Sequence, residues 1–471
     1  INSQCTLLGP YRVPSYESTF ISLFTNKPIV TPYRGAGRQH GVFVIERLLD
    51  LAARELGIDR VEIRRKNFLR PDQFPHDHVI TYQDFAPLYY DSGNYEPVLD
   101  QALERIGYAD FVANEQPRRR AQGRCSGIGV VAYVEGTGIG PFEGARVQVQ
   151  TNGVVTVDTG IGTQGQGHFT VLAQIAAEQL GVQVAGVQVV TGDTDRFHWG
   201  TGTFASRGAV VAGNAVHEAA KRVREKAIAL AAEQLGVEPS QIELAEGSAR
   251  VIQETSRAIP LSQPQRAIQL AELAKLANPM RGAVKPGTEP GLEATAYFGP
   301  YRGATASGVH ALILDVDPET MQVTIEKYVV VHDCGRVINP MLVDGQVHGG
   351  VAQGLGNAWF EELVWDENGQ LMNASFMDFL LPTSLDVPPI EVGHEETVSP
   401  LNALGTKGAG EAGAIPTGAL FVQALEDALR IPLAIPNLEL REIPLNPSRL
   451  WKIVAAAAKQ GKPSHAEDGA V

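Results

Sequence analysis

A single glutamate stands in an unusually glycine-rich segment near the end of the chain. Residues 405–413 read Gly-Thr-Lys-Gly-Ala-Gly-Glu-Ala-Gly, and an apolar helical pattern follows from Ala414 to Leu429. The N-terminus of a helix favours the charged form of a carboxylate, whereas burial raises its pKa. A carboxylate balanced in this way suits a general base, so Glu411 is the candidate for that role. A glutamate that only caps the helix is the alternative for this residue taken alone.

Three further glycine-rich loops also lead into helical patterns. They read Thr-Gln-Gly-Gln-Gly-His-Phe-Thr at 163–170, Gly-Thr-Gly-Thr-Phe-Ala-Ser-Arg-Gly at 200–208 and Asp-Cys-Gly-Arg-Val-Ile-Asn-Pro at 333–340. Loops of this kind present free N–H groups to phosphates and other anions. The Gln166 amide both donates and accepts hydrogen bonds, and the Arg207 guanidinium suits a phosphate. Each loop alone is also typical of an ordinary turn, but together they indicate one large ligand.

These loops, with Thr31-Pro32-Tyr33-Arg34-Gly35-Ala36-Gly37-Arg38 and the helix after it, resemble the large subunit of the xanthine oxidase family of molybdenum hydroxylases. The resemblance covers nearly the whole chain and keeps the order of the motifs. It implies an α+β fold, a molybdopterin-binding domain with two lobes of mixed sheets and flanking helices. It also implies hydroxylation of an electron-poor carbon of an aromatic N-heterocycle or an aldehyde, with water as the oxygen source.

The resemblance assigns roles to individual residues. It implies that Glu411 is the catalytic base, which deprotonates a hydroxyl ligand of molybdenum. The residues implied to bind molybdopterin are Gly165, Gln166, Gly167, Ala205, Ser206, Gly208 and Gln346. Cys334 and Asn339 match positions that hold the cytosine dinucleotide extension of the cofactor in bacterial members. Lys407 is predicted to reach the phosphates of that extension, and a surface lysine is the alternative.

Positions that face the metal or the substrate depart in part from the family pattern. Arg34 and Ala205 match positions whose backbone faces molybdenum, without ligating it. Ala36 stands where purine hydroxylases have a phenylalanine that packs on flat substrates, so a pocket of different shape is predicted there. Tyr133 aligns with a second substrate-stacking aromatic residue, and a tyrosine packed in the core is the alternative.

Copper-dependent carbon monoxide dehydrogenases of the family carry a cysteine in a Cys-Ser-Phe-Arg loop. This chain has Tyr33-Arg34-Gly35-Ala36 at that place and therefore lacks the copper-binding thiol. Oxidation of carbon monoxide with copper is not expected, although a homologue of those enzymes that works without copper stays open as an alternative.

The cysteines bear on partners and on compartment. Cys5, Cys125 and Cys334 are far apart in the sequence, whereas a [2Fe–2S] cluster needs four thiolates. The electrons are therefore expected to leave through partner subunits that carry [2Fe–2S] clusters and FAD. So few cysteines, in no paired motif, favour a reducing compartment, the cytoplasm.

The hammerhead domain that opens the family's subunit has no counterpart before Tyr33. We therefore expect either a fragment or a subunit split between two polypeptides, as in nicotinate-type hydroxylases. The alternative function is that of a cofactor-holding subunit that is inactive without its partner chain.

Composition limits the classes of partner. The chain has 471 residues, of which 44% are hydrophobic and 20% charged, as in globular soluble proteins. No apolar run reaches the roughly 18–20 residues that a membrane span needs. The formal net charge of −14 argues against nucleic acid or an anionic membrane surface as the main partner.

The periodicity of apolar residues predicts both helices and strands. Helices are predicted over 42–56, 169–180 and 207–235, each ending at a glycine. Asp59 and Glu62 have the spacing of a helix-capping box. Hairpins are predicted for 145–151 with 154–158, for 309–316 with 322–332, and for 359–366 with 370–377.

The arrangement of these elements predicts the domain organisation. The first two hairpins each lead to a glycine- and glutamine-containing loop and a helix, which indicates a diverged internal duplication. The predicted segments are the first part of the molybdopterin-binding domain at 1–140, a second lobe with cofactor loops at 141–300, a lobe with the catalytic glutamate at 301–454 and a flexible tail at 455–471.

Overall fold

The computed structural model describes residues 1–83, 85–252, 266–281, 284, 287 and 289–460, and its fold is α+β, as predicted. Its helices are α1 (Asn2–Thr6), α2 (Arg38–Leu56), α3 (Arg60–Asn67), α4 (Tyr95–Ile106), α5 (Tyr108–Asp110), α6 (Gln116–Ala121), α7 (His168–Leu180), α8 (Asn214–Leu235), α9 (Leu270–Leu276), α10 (Pro340–Leu355), α11 (Thr417–Arg430) and α12 (Pro447–Gln460). Its strands are β1 (His76–Thr81), β2 (Pro87–Tyr90), β3 (Cys125–Thr137), β4 (Glu143–Val149), β5 (Val155–Thr159), β6 (Val187–Thr191), β7 (Ile242–Ala245), β8 (Ser248–Val251), β9 (Ala267–Gln269), β10 (Glu293–Phe298), β11 (Ala304–Val316), β12 (Val323–Asp333) and β13 (Ile390–Glu395). No helix in the described ranges is long and apolar enough to cross a membrane.

Two four-stranded mixed sheets carry the fold. Their strand orders are β10-β4-β5-β6 and β13-β12-β11-β3. In the first, β10 and β5 both pair antiparallel with β4, and β6 pairs parallel with β5. In the second, β3 and β12 both pair antiparallel with β11, and β13 pairs parallel with β12. The two sheets therefore share the directions of strand pairing and the order hairpin, helix, parallel strand, in agreement with the predicted duplication. They differ in the outer strand beside the hairpin, since β10 follows its hairpin in the chain and β3 precedes its hairpin.

This shared order of elements positions two of the glycine-rich loops. In each sheet a hairpin is followed by a loop, a helix and a strand parallel to the second strand of the hairpin. Residues 160–167 leave the carboxyl end of β5 and lead into α7, and residues 334–339 leave the carboxyl end of β12 and lead into α10. Ligands of α/β sheets bind at such ends, where helix N-termini offer unpaired N–H groups.

The sheet that contains β3 is covered on both faces. Val131 and Tyr133 point toward one core with α11, while Val130 and Ala132 point toward another core with α4. Burial on both faces explains why this strand reads as a nearly continuous apolar run rather than an alternating one. Because β3 pairs with β11, the predicted segments 1–140 and 301–454 share a sheet, and the division at those boundaries stays a prediction.

Several local predictions are confirmed. Helix α7 begins one residue before the predicted start and ends at Gly181. The helix predicted over 207–235 begins as a π-helical turn over Gly208–Gly213, continues as α8 and ends at Gly236. The Asp59 carboxylate caps α3 by accepting from the N–H groups of Val61 and Glu62. Helix α2 begins at Arg38, four residues earlier than predicted.

Three local predictions are corrected. The third hairpin is wrong, because only an isolated bridge joins Trp365 to Leu371. The Asn373 side chain instead binds the backbone of that segment, accepting from the Val364 N–H at 2.9 Å. Helix α11 begins at Thr417 rather than Ala414, and α12 continues to Gln460, beyond the predicted start of the tail at 455. Residues 461–471 of that tail lie outside the described residues.

Helix α10 packs tightly against the segment that carries Glu411, and this contact yields a first prediction. A Cβ atom added at Gly350 would lie 2.7 Å from the Gly413 Cα, whereas one added at the exposed Gly345 would meet nothing within 4 Å. Gly350→Ala is expected to lower the free energy of unfolding by about 1–3 kcal/mol through overpacking. Gly345→Ala, on the same helix, gains helix propensity and should raise that free energy by up to about 1 kcal/mol. Urea unfolding of both variants measures the difference, and equal effects would contradict the contact.

Candidate active site

A cavity of about 1550 Å³ lies where the glycine-rich loops meet the start of α2. Most of the predicted site residues contribute to its wall. Those that do are Arg34, Ala36, Gly165, Gln166, Ala205, Ser206, Gly208, Cys334, Asn339, Gln346, Lys407 and Glu411. Arg34 and Glu411, which are 377 positions apart in sequence, thus meet at one site, and the prediction of one large ligand agrees with the size of the cavity.

Glu411 lies in a turn that precedes α11, with only 9% of its surface exposed. Its carboxylate does not cap that helix. Instead Oε1 accepts a hydrogen bond from the Gly35 N–H at 3.0 Å, and Oε2 lies 3.0 Å from the Ser206 hydroxyl. The capping alternative is therefore not what the structure shows, and the charge on Glu411 is stabilised by groups from distant segments rather than by its own helix.

Arg38 is the cation nearest to this carboxylate. Its Nη1 lies 3.6 Å from Glu411 Oε2, and the guanidinium also donates to the carbonyl oxygens of Gly35 and Gly136 and to the Tyr82 hydroxyl. Burial alone would raise the pKa of Glu411, but the charge of Arg38 and the hydrogen bonds to the carboxylate lower it below its usual value. Glu411 is consequently ionised at neutral pH, as a general base must be.

A second glutamate lies behind Glu411. Glu135 on β3 is 1% exposed, and its Oε1 lies 2.9 Å from the same Ser206 hydroxyl that contacts Glu411. Burial and the neighbouring charge of Glu411 raise the pKa of Glu135 well above its usual value. The surroundings therefore shift the pKa values of these two carboxyl groups in opposite directions, on either side of one serine.

The loop over 200–208 has an unusual backbone and a buried anchor. Ala205 and Ser206 both have positive φ, 48° and 50°, which non-glycine residues seldom adopt. The Arg207 guanidinium is fully buried and paired with Glu143, whose Oε1 also accepts from the N–H groups of Thr201 and Gly202. Arg207 thus holds this loop in place, which corrects the prediction that it offers a free guanidinium to phosphate.

Lys407 is neither a surface lysine nor a free phosphate ligand. Its ammonium group lies 3.4 Å from Asp333 Oδ2 and 3.3 Å from the Ser92 carbonyl, and its side chain is fully buried. An ammonium held in a buried ion pair cannot swing to a phosphate without leaving Asp333 uncompensated. The structure therefore corrects the prediction of phosphate binding and makes Lys407 a link between β12 and the Glu411 loop.

Two other predicted residues do not reach the cavity wall. Tyr133 is 1% exposed in the core, where its hydroxyl lies 3.1 Å from His332 Nδ1. This placement corrects the prediction of a substrate contact in favour of the alternative, a core tyrosine. Gly167 caps α7 with a positive φ of 78° and packs on Leu342, so it shapes the loop without lining the cavity.

The remaining predicted residues lie on the wall with defined partners. The Asn339 side chain caps α10, accepting from the Leu342 N–H at 3.2 Å. Gln346 accepts from Arg34 through its backbone carbonyl, at 3.1 Å, and more weakly through its side chain. Burial raises the pKa of Cys334 to about 12, so its thiol is neutral. In the described ranges, no three His, Cys, Asp or Glu side chains are grouped so as to hold a metal ion.

Family models identify the domains of the chain that surround this cavity. Residues 101–388 match the model of a molybdopterin cofactor-binding domain, and residues 2–68 match a second model with the same description. The chain belongs to the xanthine oxidase family of molybdenum hydroxylases. Within this molybdopterin-binding chain, the matched ranges include the loops at 163–170, 200–208 and 333–340 and the Arg34–Arg38 segment.

Relatives agree with this assignment. The chain is 37% identical to the 6-hydroxypseudooxynicotine dehydrogenase complex subunit gamma of Paenarthrobacter nicotinovorans, over 90% of this chain and 52% of the relative. It is 35% identical to the nicotine 6-hydroxylase large subunit of the same organism, over 90% of this chain and 51% of the relative. Quinoline 2-oxidoreductase from Pseudomonas putida 86 superposes with a TM-score of 0.86 and 34% identity, over 98% of this chain and 57% of that structure. The chain thus spans about half the length of these relatives.

The wall of the cavity fits a pterin cofactor that carries a phosphate. The His168 side chain lies at the N-terminus of α7 on the cavity wall, and its buried Nδ1 has no hydrogen-bond partner among the described residues. Gly165 has a positive φ of 100°, and a Cβ there would meet open space. Gln166 offers an amide, and Arg336, an exposed cation on the same wall, suits a phosphate. These groups match the donors and acceptors that such a cofactor needs.

Sequence reasoning missed Arg38, Glu135 and Arg336 as site residues. Arg336 and Arg38 belong to the glycine-rich segments 333–340 and 31–38, whose local patterns do not single out either arginine. Glu135 had a clearer signal, because it is the one charged residue in the apolar strand Cys125–Thr137. A lone carboxylate in a strand buried on both faces is costly unless another group compensates it, so it marks a candidate site.

Proposed function

We propose that this chain holds the molybdenum cofactor of a hydroxylase and provides its catalytic base. The observation that carries the proposal is Glu411, an ionised and nearly buried carboxylate on the wall of a cavity lined by the cofactor loops. The reaction replaces a C–H bond of the substrate by a C–O bond with oxygen from water, and releases two protons and two electrons. When bound, the molybdenum cofactor supplies the two-electron oxidant and the place where water is activated.

The residues of this chain take up the proton and bind the cofactor. Glu411 takes up a proton from the activated water, because it is a charged acceptor that Arg38 and the Gly35 N–H keep in place. Gly165, Gln166, Ala205, Ser206, Gly208 and Gln346 hold the pterin. Cys334, Asn339 and Arg336 lie on the wall of the cavity where a cytosine dinucleotide extension would be accommodated.

The substrate class that we propose is an aromatic N-heterocycle, with an aldehyde as the second choice. The names of relatives support the first choice, since they act on nicotine and quinoline. Ala36 leaves room on the wall, and Phe204 offers a partly exposed ring whose other face is covered by the Arg207 guanidinium at 4.9 Å. A flat ring can stack on such an aromatic surface.

Partners complete the proposed enzyme, which we place in the cytoplasm. The three cysteines are buried, and two relatives are named as subunits, so we propose that [2Fe–2S] and FAD subunits receive the electrons. The half of the relatives that this chain does not span would come from the same polypeptide or from a second one. Co-purification with mass spectrometry distinguishes these two arrangements.

The test is a metal and product analysis of the purified complex. It should contain about one molybdenum and one cytosine dinucleotide per copy of this chain, and should incorporate ¹⁸O from labelled water into a hydroxylated N-heterocycle. If this chain binds cofactor but turns over only after a second polypeptide is added, it is a cofactor-holding subunit. A complex without molybdenum would contradict the proposal.

A further inference from the structure

We propose that Glu135 is a positioning residue for the base, a neutral carboxyl group that donates to Ser206 while Ser206 donates to Glu411. The inference rests on the proposed function, since it assigns Glu411 the role of base. It begins from one serine hydroxyl lying between two buried carboxyl groups, at 2.9 Å from Glu135 Oε1 and 3.0 Å from Glu411 Oε2.

The surroundings of the two carboxyl groups are unequal. Glu411 has a guanidinium at 3.6 Å and a backbone N–H at 3.0 Å. In the part of the chain that the structure describes, Glu135 forms no ion pair within 4 Å, and its Oε2 has no hydrogen-bond partner. An isolated buried carboxylate is far more costly than a buried carboxylic acid. The proton that the pair shares therefore resides on Glu135.

Proton counting gives the same assignment. A serine hydroxyl has one hydrogen, so Ser206 can donate to only one of the two carboxyl oxygens it contacts. The other contact is favourable only if that carboxyl group brings its own proton. With Glu135 protonated, its O–H donates to Ser206 Oγ, and the serine hydrogen is directed to Glu411 Oε2. The polarity of this chain of hydrogen bonds keeps Glu411 as the acceptor.

The backbone leaves Ser206 little freedom to turn away. It is held in the left-handed region, with a φ of 50°, and its Cβ and carbonyl oxygen lie where any side chain on Gly408 would be. Gly410 is also close, since an added Cβ there would lie 3.3 Å from Ser206 Oγ. The contact between Ser206 and the Glu411 loop thus requires these glycines, which accounts for part of the glycine-rich motif.

The other charged and titratable groups around Glu135 act in opposite directions, and their sum favours the protonated state. Arg38 lowers the pKa of Glu135, but burial and Glu411 outweigh it and raise that pKa well above its usual value. Arg34, Tyr82 and Tyr133 also interact electrostatically with Glu135. Burial raises the pKa of both tyrosines, so they are neutral and add no charge beside Glu135. Two like charges this close are avoided when one of them holds a proton.

The test combines infrared spectroscopy with kinetics of the holoenzyme and its Glu135 variants. At pH 8, the difference spectrum between wild type and Glu135→Gln should contain the band of one protonated carboxyl group, which shifts in D₂O. Because the glutamine amide can still donate to Ser206, kcat of this variant should stay within about threefold of wild type. Glu135→Ala removes that donor, and kcat should fall at least about tenfold, as expected for a lost hydrogen bond to a charged network.

The pH dependence of kcat in the Glu135 variants also tests whether Glu135 affects the pKa of Glu411. In Glu135→Ala the serine is no longer oriented, so the acid limb of the kcat profile should move to higher pH, whereas Glu135→Gln should leave it in place. If Glu135→Ala does not fold, Ser206→Ala removes the same bridge and should give the same two effects. A role in stability alone would change the yield of folded enzyme without moving that limb.

The results that would contradict this inference differ from those that would contradict the proposed function. No carboxyl band in the difference spectrum means that Glu135 is ionised, which overturns the inference. So does an equal loss of kcat in Glu135→Gln and Glu135→Ala. The band does not require turnover, so a band without any hydroxylation would contradict the proposed function and leave the carboxyl pair intact.

Discussion

Glu411→Gln is expected to reduce the rate of hydroxylation by about 10²–10⁴-fold, the range that a general base contributes. The amide has the shape of the carboxylate and can still accept from the Gly35 N–H, so fold and cofactor content should be retained. It cannot take up a proton at neutral pH. The measurement is kcat/KM normalised to the molybdenum content of each preparation.

Glu391→Gln is a suitable control for this variant. Glu391 is exposed on β13, where it pairs with Arg105, and its neutralisation should leave the rate unchanged. Wild-type rates in Glu411→Gln with full molybdenum occupancy would refute the role of Glu411. A loss of molybdenum in the variant would instead indicate that Glu411 helps to bind the cofactor.

The pH dependence of the wild-type enzyme follows from the same contacts. Burial would raise the pKa of Glu411, but Arg38 and the hydrogen bonds lower it below the usual 4.5. The active form is the charged one, so activity due to this group should be constant through neutral pH. It should fall only as the pH drops below about 4.5.

Arg38→Met is expected to have the second large effect, on both stability and pH dependence. Arg38 is 1% exposed, and its removal leaves Glu411 without a cation within 4 Å among the described residues. Breaking a buried ion pair by removing one partner costs about 3–5 kcal/mol, so the free energy of unfolding should fall by that amount. Urea unfolding at pH 7 measures this loss.

The same variant should also change the titration of the base. Without the guanidinium, burial dominates and the pKa of Glu411 rises, so the acid limb of the kcat profile moves to higher pH. Arg38→Lys is the matched control, since it retains the charge but loses part of the hydrogen bonding to Tyr82 and Gly136. It should show a smaller shift than Arg38→Met. A profile unchanged in both variants would mean that Arg38 does not tune the base.

The sequence predicted best those elements whose structure is determined by neighbouring residues. Helix α7 and the hairpin of β4 with β5 have strong local patterns, and both were predicted closely. The third predicted hairpin has the Asn368-Gly369 turn signal, but the residues on either side of the turn do not form paired strands. The Asn373 side chain instead binds the backbone of Glu362 and Val364, which a paired strand would otherwise bind. A turn signal alone does not determine whether the residues on either side of it form paired strands.

For the site, the sequence by itself determined the family, the α+β fold, the cofactor loops and Glu411 as the candidate base. Motif order carries that information, because each loop must begin at a strand end and lead into a helix. Only the tertiary structure decided the state of that base. Arg38 and Glu135 lie 373 and 276 positions away from Glu411 in sequence, and no local pattern shows which residues will meet across such separations.

The structure also decided which residues of the motifs face the ligand. Lys407 and Arg207 have the right chemistry for phosphate, but each is buried against a carboxylate, Asp333 and Glu143 respectively. Tyr133 could have stacked on a substrate, but its strand is covered on both faces. The sequence identifies groups that can do the chemistry, whereas the packing around each one determines its partner, its charge and hence whether it is free to act.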